Sequence, residues 1–229
     1  MNEIQEFYSN NIKYWLDNPR YTIREGYLDL LGNVSSKRII DIGCGCGFDM
    51  QLLSKRHKNI RGIGLDFCKE SIEEAKAVLG NNTDWRFVQK DMMDYTPQKR
   101  FDIIIFSMVV MFYPDLCAIF RKMASLLNPS GQLLLVTNNP YIICKEYDVP
   151  YPEGAKSIKY QHVFPIQGKE KAVTKYVHSF SSYINSAQSS GLIVQRVLEQ
   201  AVYNEETSFY NPEANPSIPN FISFLYKLS

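Results

Sequence analysis

The sequence predicts an α/β fold in which a mostly parallel β-sheet is covered by helices on both faces. From residue 38 onward, short apolar runs rich in β-branched residues alternate with segments of helical periodicity, which is the pattern of repeated βα units. Gly43, Gly45 and Gly47 follow the first apolar run, and glycines spaced in this way let the backbone turn sharply and approach a ligand. The 229 residues, 45% of them hydrophobic, suit one domain, 1–229, with a sizeable core.

The first three strands of the predicted sheet are residues 38–42, 61–66 and 85–90. A helix follows the glycine loop, and a second helix follows the second strand and ends at Gly80, a residue that suits a helix C-cap. The apolar faces of these two helices are formed by Phe48, Leu52, Leu53, Ile72, Ala75 and Leu79.

The fourth strand, residues 102–106, is almost wholly apolar, which predicts burial on both faces. Asp115 is placed to cap a helix that runs through residue 127. The turn-forming residues 128–131 end that helix before a fifth strand at 132–137.

Regular pattern returns near the C-terminus and completes a sheet of seven strands. One further helix ends at Gly191, and strands follow at 192–198 and 221–228. The apolar face of that helix is formed by Phe180, Tyr183, Ile184 and Ala187.

Three segments lie outside this alternation. Residues 1–37 are rich in aromatic side chains and predict helices that either pack on the sheet or form a lid over a ligand. Residues 138–175 contain four prolines and several tyrosines and are too long for an ordinary connection, which predicts an inserted cap. The domain is thus divided into this lid, a ligand-binding core at 38–137, the cap, and the rest of the core at 176–229, in which the Asn- and Pro-rich residues 201–219 predict a long loop.

Composition and charge exclude several classes of function. A net charge of +1, from 25 basic and 24 acidic residues, provides no overall field that would attract nucleic acid or an anionic membrane. The first residues lack the pattern of a signal peptide, and no apolar run could span a bilayer. The five cysteines are scattered, and Cys44 and Cys46 lack the spacing of a metal pair. We therefore expect a cytoplasmic protein with reduced thiols, no bound metal and a small-molecule partner.

The glycine loop indicates which cofactor is bound. A dinucleotide fingerprint would have a third glycine where Phe48 stands, which argues against NAD. The arrangement Asp-x-Gly-x-Gly-x-Gly, from Asp41 to Gly47, resembles motif I of the class I S-adenosylmethionine-dependent methyltransferases. The resemblance covers residues 38–137, with a softer match at 176–185. It implies a Rossmann-like fold with a seven-stranded, mostly parallel sheet and an antiparallel last strand, S-adenosyl-L-methionine as the cofactor, and S-adenosyl-L-homocysteine as the product.

The same resemblance implies roles for residues at the ends of the predicted strands. Asp66 would accept hydrogen bonds from the ribose hydroxyls, and Asp91 would bind the adenine amine between Phe67 and Met92. The Ser107 carbonyl and, through water, Asp41 would contact the ammonium group of the cofactor. The complete predicted cofactor-binding set is Tyr8, Tyr21, Asp41, Gly43, Cys44, Gly45, Gly47, Asp66, Phe67, Asp91, Met92 and Ser107.

Methyl transfer needs little from the protein beyond alignment, because the sulfonium methyl group is already an activated electrophile. A proton acceptor is optional, and the candidates are His162 and His178, with Tyr160 and Tyr8 as further possibilities. His162 is preferred because it lies in the cap, between Tyr160 and Phe164, where an acceptor would be enclosed.

We therefore expect a methyltransferase that acts on nitrogen, oxygen or carbon of a small metabolite by in-line displacement, as a monomer or a homodimer. Two alternatives remain at this point. An RNA or protein methyltransferase would show a basic surface stripe or an added binding domain, neither of which the sequence displays. A non-catalytic protein that binds S-adenosylmethionine would carry the same loop and yet release no product.

Overall fold

Seven strands form one central sheet in the computed structural model, which describes residues 2–201 and 219–229. The strands of the described residues are β1 (Arg38–Ile42), β2 (Arg61–Asp66), β3 (Trp85–Gln89), β4 (Phe101–Ser107), β5 (Leu127–Asn138), β6 (Ser157–Ile166), β7 (Lys169–His178), β8 (Leu192–Gln200) and β9 (Phe221–Leu228). The order across the sheet is β3-β2-β1-β4-β5-β9-β8. Strands β1 to β5 pair in parallel, and β9 is antiparallel to both of its neighbours. The predicted seven-stranded sheet and its antiparallel last strand are confirmed.

Two of the helix ends follow short-range sequence signals. The Asp115 carboxylate accepts a hydrogen bond from the Ala118 N–H at 3.0 Å and caps the helix between β4 and β5. Gly80, at φ 57°, ends the helix between β2 and β3, as predicted. The helices are α1 (Asn2–Ser9), α2 (Ile12–Leu16), α3 (Tyr21–Leu28), α4 (Phe48–Arg56), α5 (Lys69–Leu79), α6 (Leu116–Leu126), α7 (Pro140–Glu146) and α8 (Phe180–Gln188). Within the described ranges, none of them combines the length and the apolar composition needed to cross a bilayer.

Strand β4 lies at the centre of the molecule and contributes to the core on both faces of the sheet. Ile104 and Phe106 pack in a cluster with α6 and α8, whereas Ile103 and Ile105 pack in a second cluster with α3, α4 and α5. This two-sided burial explains why β4 is an almost continuous apolar run.

Strand β5 begins earlier than the sequence predicts. Phe101 pairs with Leu127 and Ile103 pairs with Gln132, so residues 128–131 form an irregular excursion within the strand. The turn-forming residues were correctly recognised, but pairing of Leu127 with the start of β4 extends the strand on their N-terminal side.

The cap is more regular than its composition suggests. It consists of α7 and a hairpin of β6 and β7, which form a separate two-stranded sheet. The hairpin turns at Gln167 and Gly168, both at positive φ, which matches the right-handed twist of the strands. The loop predicted at 201–219 falls mainly on residues 202–218, which lie outside the described residues.

The N-terminal helices pack against this hairpin. Phe164, Ile166 and Val173 of the hairpin form a cluster with Phe7 and Trp15, and the Trp15 and Phe164 rings meet edge to face at 5.2 Å. The Gln5 side chain donates a hydrogen bond to the Phe67 carbonyl at 3.1 Å, which ties α1 to the loop after β2 as well. Helices and hairpin together cover the carboxyl edge of the parallel strands.

Candidate active site

A cavity of about 250 Å³ lies under this cover, at the carboxyl ends of the parallel strands. One wall is formed by the glycine loop and by the residues that follow β2, β3 and β4, and the other by α1, α2 and the hairpin. Carboxyl ends of parallel strands are where open α/β sheets bind their ligands. The position of the cavity therefore makes it the candidate active site.

The glycine loop is held against β2 by backbone hydrogen bonds. The N–H groups of Gly43 and Cys44 donate to the Leu65 carbonyl at 2.7 and 3.2 Å. Gly43 has φ 70°, and a Cβ atom added to it would lie 2.3 Å from Val109 Cγ2. Both the conformation and the close approach exclude any larger residue at this position.

Asp66 joins the glycine loop to the end of β2. One carboxylate oxygen accepts a hydrogen bond from the Gly45 N–H at 2.9 Å, and the other accepts from the Cys68 N–H at 2.9 Å. Burial raises the pKa of Asp66 to about 6, although the backbone N–H groups oppose this shift. Because a carboxylate has about four lone-pair sites, Asp66 retains acceptor capacity for a ligand in the cavity.

Asp41 lies behind the loop and is almost completely buried. Its Oδ2 atom has no hydrogen-bond partner among the described residues. Burial raises the pKa of Asp41, the negative charges of Asp49 and Asp66 raise it further, and Arg24 opposes the increase. A buried acceptor without a partner fits a site that is completed by a cationic ligand and water.

A buried polar network fastens α3 to the core beside the cavity. Arg24 and the Tyr27 hydroxyl both donate to Asp49 Oδ1 at 2.7 Å, and the Ser107 hydroxyl donates to the Tyr27 oxygen at 3.2 Å. The network connects the N-terminal segment, the first turn of α4 and the end of β4. It therefore fixes these three segments relative to one another.

The network predicts a loss of stability for Tyr27→Phe. This change removes the donor to Asp49 and the acceptor for Ser107, so we expect the free energy of unfolding to fall by about 1–2 kcal/mol in urea denaturation. Tyr21→Phe, in the same helix, is the control, because the Tyr21 hydroxyl is at the exposed surface and donates only to Gln51. Equal effects of the two changes would contradict a stabilising role for the network.

The structure brings most of the predicted site residues into one cavity and leaves others outside its lining. The predicted residues that line the cavity are Tyr8, Gly43, Cys44, Gly45, Asp66, Phe67, Met92, Ser107 and His162. Those outside the lining are Tyr21, Asp41, Gly47, Asp91 and His178.

The residues outside the lining have other contacts. Asp91 accepts a hydrogen bond from the Met93 N–H at 2.8 Å, and Gly47 is the N-cap of α4. His178 Nε2 hydrogen-bonds the Tyr113 carbonyl at 2.9 Å, and its ring is 1% exposed. Burial lowers the pKa of His178 to about 4, so this histidine is neutral at physiological pH.

The hairpin wall carries two ionisable side chains. His162 Nδ1 lies 2.8 Å from the Tyr147 hydroxyl. Burial, together with the positive charges of Lys175 and Arg20, lowers the pKa of His162 to about 2. Burial and the charge of Arg20 lower the pKa of Lys175 to about 7. The cavity is lined by His162, Lys175 and the two residues that contact or influence them, Tyr147 and Arg20.

The family of the chain follows from comparison with known proteins. The sequence model of a family described as "Methyltransferase domain" matches residues 33–200. The chain belongs to this methyltransferase family. Its fold is the Rossmann-like fold of the class I enzymes, for which S-adenosylmethionine is the cofactor.

Two relatives of this chain are methyltransferases by name. Malonyl-[acyl-carrier protein] O-methyltransferase 1 of Ilyobacter polytropus is 29% identical over 117 residues, which are 50% of this chain and 44% of the relative. Trans-aconitate 2-methyltransferase of Escherichia coli O139:H28 is 26% identical over 151 residues, or 66% of this chain and 56% of the relative. The methyltransferase thus spans about half the length of these relatives.

A solved structure shows the same fold. The S-adenosylmethionine dependent methyltransferase from Mesorhizobium loti superposes with a TM-score of 0.64 at 19% identity, over 89% of this methyltransferase and 96% of the other chain. At this identity the likeness concerns the fold alone.

The sequence did not reveal every polar residue of the candidate site. Arg24, Tyr27 and Asp49 were missed, and the signal that could have found them is an acidic residue in the helix turn after the glycine loop, which needs a partner if it is buried. Lys175 was missed as well. Its signal is the alternation with Val173 and Val177, which places a lysine on an otherwise apolar face.

Proposed function

We propose that this protein transfers a methyl group from S-adenosylmethionine to a nitrogen, oxygen or carbon atom of a small-molecule acceptor. The observation that carries the proposal is the single cavity with two chemically different walls. Asp66 and the glycine loop form one wall, and aromatic and ionisable side chains of the hairpin and α1 form the other. A cavity of about 250 Å³ under a cover of two helices and a hairpin suits a cofactor and a small acceptor better than a polymer.

The residues of the inner wall fit the cofactor. A Cβ atom added to Gly45 would meet no atom of the described residues within 4 Å other than its chain neighbours, so the described part of the chain leaves the space in front of the loop open to a ligand. We infer that Asp66 accepts hydrogen bonds from the ribose hydroxyls and that Phe67 and Met92 enclose the adenine. We also infer that Asp41 contacts the ammonium group through a water molecule. Ser107, at the end of β4, would lie beside that ammonium group.

The chemistry of the transfer is a displacement at carbon. S-adenosylmethionine supplies a methyl group bound to a positively charged sulfur, which is the electrophile. A lone pair of the acceptor forms the new bond to the methyl carbon as the carbon–sulfur bond breaks and its electron pair passes to sulfur. An O–H, N–H or C–H acceptor also loses a proton. The protein encloses the reactants, excludes water and aligns them, which is worth about 7–11 kcal/mol for well-oriented reactants.

We infer that His162 contacts the acceptor as a neutral imidazole. With Nδ1 beside the Tyr147 hydroxyl, Nε2 is the ring nitrogen left for an acceptor. The pKa of about 2 makes the empty-site imidazole a weak base, so its first role is to position the acceptor.

For His162→Ala we expect kcat to fall about tenfold to a hundredfold through misplacement of the acceptor, with the affinity for S-adenosylhomocysteine unchanged. The rate profile of the wild type should show no step near pH 6.5 from this histidine, because its pKa is about 2. His57→Ala, at the end of α4, is the control. An unchanged kcat would remove His162 from the mechanism.

The proposed function is tested by product release. The protein is incubated with S-adenosylmethionine and a panel of small acids, amines and phenols, and S-adenosylhomocysteine is measured with and without each acceptor. Acceptor-dependent release supports the proposal. Tight cofactor binding with no release for any acceptor, including RNA and protein substrates, would indicate a binding protein instead.

A further inference from the structure

Lys175 is a buried amine for which the described residues supply no hydrogen-bond or ion-pair partner. It stands on β7 between Val173 and Val177, whose side chains share its buried face, and is only 3% exposed. No carboxylate or hydrogen-bond acceptor of the described residues lies within bonding distance of its ammonium group. Lysine is almost never buried to this degree unless it is paired.

The surroundings of this ammonium group compensate it only in part. The nitrogen lies 4.7 Å from the centre of the Phe164 ring and 5.8 Å from that of Phe112. Such cation–π contacts recover less free energy than the burial of a charge costs. The lysine therefore stands in a cavity wall at a cost to the fold, as residues that bind a ligand often do.

A second cation lines the same cavity. Arg20 precedes α3 and lies near enough for its charge to lower the pKa of both Lys175 and His162. Two positive charges near the same part of the cavity favour a ligand group of negative charge there. The aromatic rings beside Lys175 offer no further donors, which suits a carboxylate with one negative charge.

We propose that Lys175 and Arg20 bind a carboxylate group of the methyl acceptor. The proposal rests on the proposed function, and it defines the acceptor class as small carboxylic acids. The cofactor also has a carboxylate, but Lys175 belongs to the hairpin wall with His162 and Tyr147, whereas Asp66 and the glycine loop belong to the opposite wall. The acceptor is therefore the source that the geometry favours.

Carboxylate binding would also change His162. The positive charge of Lys175 lowers the pKa of His162, and a bound carboxylate would oppose that effect. The charged and titratable side chains that line the cavity together with Lys175 include Arg20, His162, Glu146, Tyr147 and Asp66. An acid acceptor would thus raise the basicity of the imidazole beside it, at the moment when a proton has to leave.

The first experiment compares carboxylates with their uncharged amides. With saturating S-adenosylhomocysteine, calorimetry measures the binding of benzoate, glutarate and trans-aconitate and of the corresponding amides. We expect the wild type to prefer at least one carboxylate by about tenfold or more, as a charge-assisted contact should give. Lys175→Met should reduce the preference severalfold or more, with any remainder due to Arg20, whereas Lys169→Met, an exposed lysine on the same strand, should retain it in full. A preference that is absent in the wild type, or that is undiminished in Lys175→Met, overturns the proposal.

The second experiment separates the two sources of carboxylate. Lys175→Met should bind S-adenosylhomocysteine as tightly as the wild type, because the lysine serves the acceptor. Weaker binding of S-adenosylhomocysteine would mean that Lys175 contacts the cofactor, and would overturn the proposal. Since methionine removes a buried charge, the variant should fold with a higher melting temperature than the wild type below pH 7, and this difference should shrink as pH rises towards 10.5.

Proton uptake gives a readout that a structural lysine would not. At pH 8 an amine with a pKa of about 7 is mostly neutral, and a bound carboxylate favours its protonated form. Calorimetry in two buffers of different ionisation enthalpy should therefore show uptake of about one proton per carboxylate bound in the wild type and none in Lys175→Met. Absence of uptake in the wild type would contradict the proposal.

These outcomes are distinguishable from failure of the proposed function. If the wild type binds carboxylates through Lys175 but never releases S-adenosylhomocysteine, the carboxylate site is supported and the proposed methyl transfer is contradicted. If the wild type methylates only uncharged acceptors, the proposed methyl transfer is supported and the carboxylate site is contradicted.

Discussion

Replacement of Asp66 by asparagine is expected to lower the affinity for S-adenosylhomocysteine by about a hundredfold or more. Hydrogen bonds to a charged group are worth about 1.5–3 kcal/mol each, and two ribose hydroxyls would lose theirs. The amide also leaves one of the two backbone donors, Gly45 or Cys68, without a good acceptor. Calorimetric titration with S-adenosylhomocysteine measures the loss.

Asp102→Asn is the matched control for this change. Asp102 also accepts a backbone hydrogen bond, from the Arg38 N–H at 2.9 Å, but lies at the start of β4, away from the cavity lining. The Asp102→Asn variant should lose stability without losing affinity for S-adenosylhomocysteine. Equal affinity losses in both variants would show that the effect of Asp66 is indirect.

The raised pKa of Asp66 adds a pH dependence to the same prediction. The ionised carboxylate is the form that accepts two hydroxyl donors, so affinity should fall about tenfold per unit as pH drops below 6. In the protein without ligand, the pH dependence of stability has the opposite sign, because the Asp66 carboxyl binds its proton more tightly in the folded state than in the unfolded state. The contribution of Asp66 to stability is therefore present below pH 3.8 and lost as pH rises through 6. Asp66→Asn should show a flatter affinity profile between pH 5 and pH 7.

Gly45→Ala is expected to weaken cofactor binding with little effect on the fold. At φ 52° an alanine costs about 1–2 kcal/mol of stability, and its Cβ would contact no side chain among residues 2–201 and 219–229 within 4 Å beyond its chain neighbours. The methyl group would occupy space that a ligand needs, and such overpacking costs about 1–3 kcal/mol, or roughly tenfold to a hundredfold in affinity. Thermal unfolding and calorimetry on the same sample measure both quantities.

Gly80→Ala isolates the backbone cost. Gly80 has φ 57°, also has open space at the position of its Cβ, and lies at the end of α5, outside the cavity lining. It should lose as much stability as Gly45→Ala and retain full affinity for S-adenosylhomocysteine. A Gly45→Ala protein with unchanged affinity would show that the space before the loop is not the cofactor site.

Much of the sheet could be predicted because its signals are local. The apolar run of β4, the Asp115 cap and the Gly80 terminus each depend on a few adjacent residues and on backbone preferences. The cap was harder, because Pro165 interrupts the alternation within β6 and the three earlier prolines favour loops before it. The extension of β5 to Leu127 depends on pairing with Phe101, a contact across 26 residues that no local pattern shows.

The candidate site could likewise be predicted only in part from the sequence. The sequence by itself determined the glycine loop and the acidic residue after β2, because positive φ angles and strand ends are properties of short segments. Only the tertiary structure decided that Asp49 pairs with Arg24 and that Lys175 is buried beside Arg20 and His162. These neighbours are distant in sequence, and burial, which gives a charge its chemical role, exists only when α1, α2 and the hairpin close over the sheet.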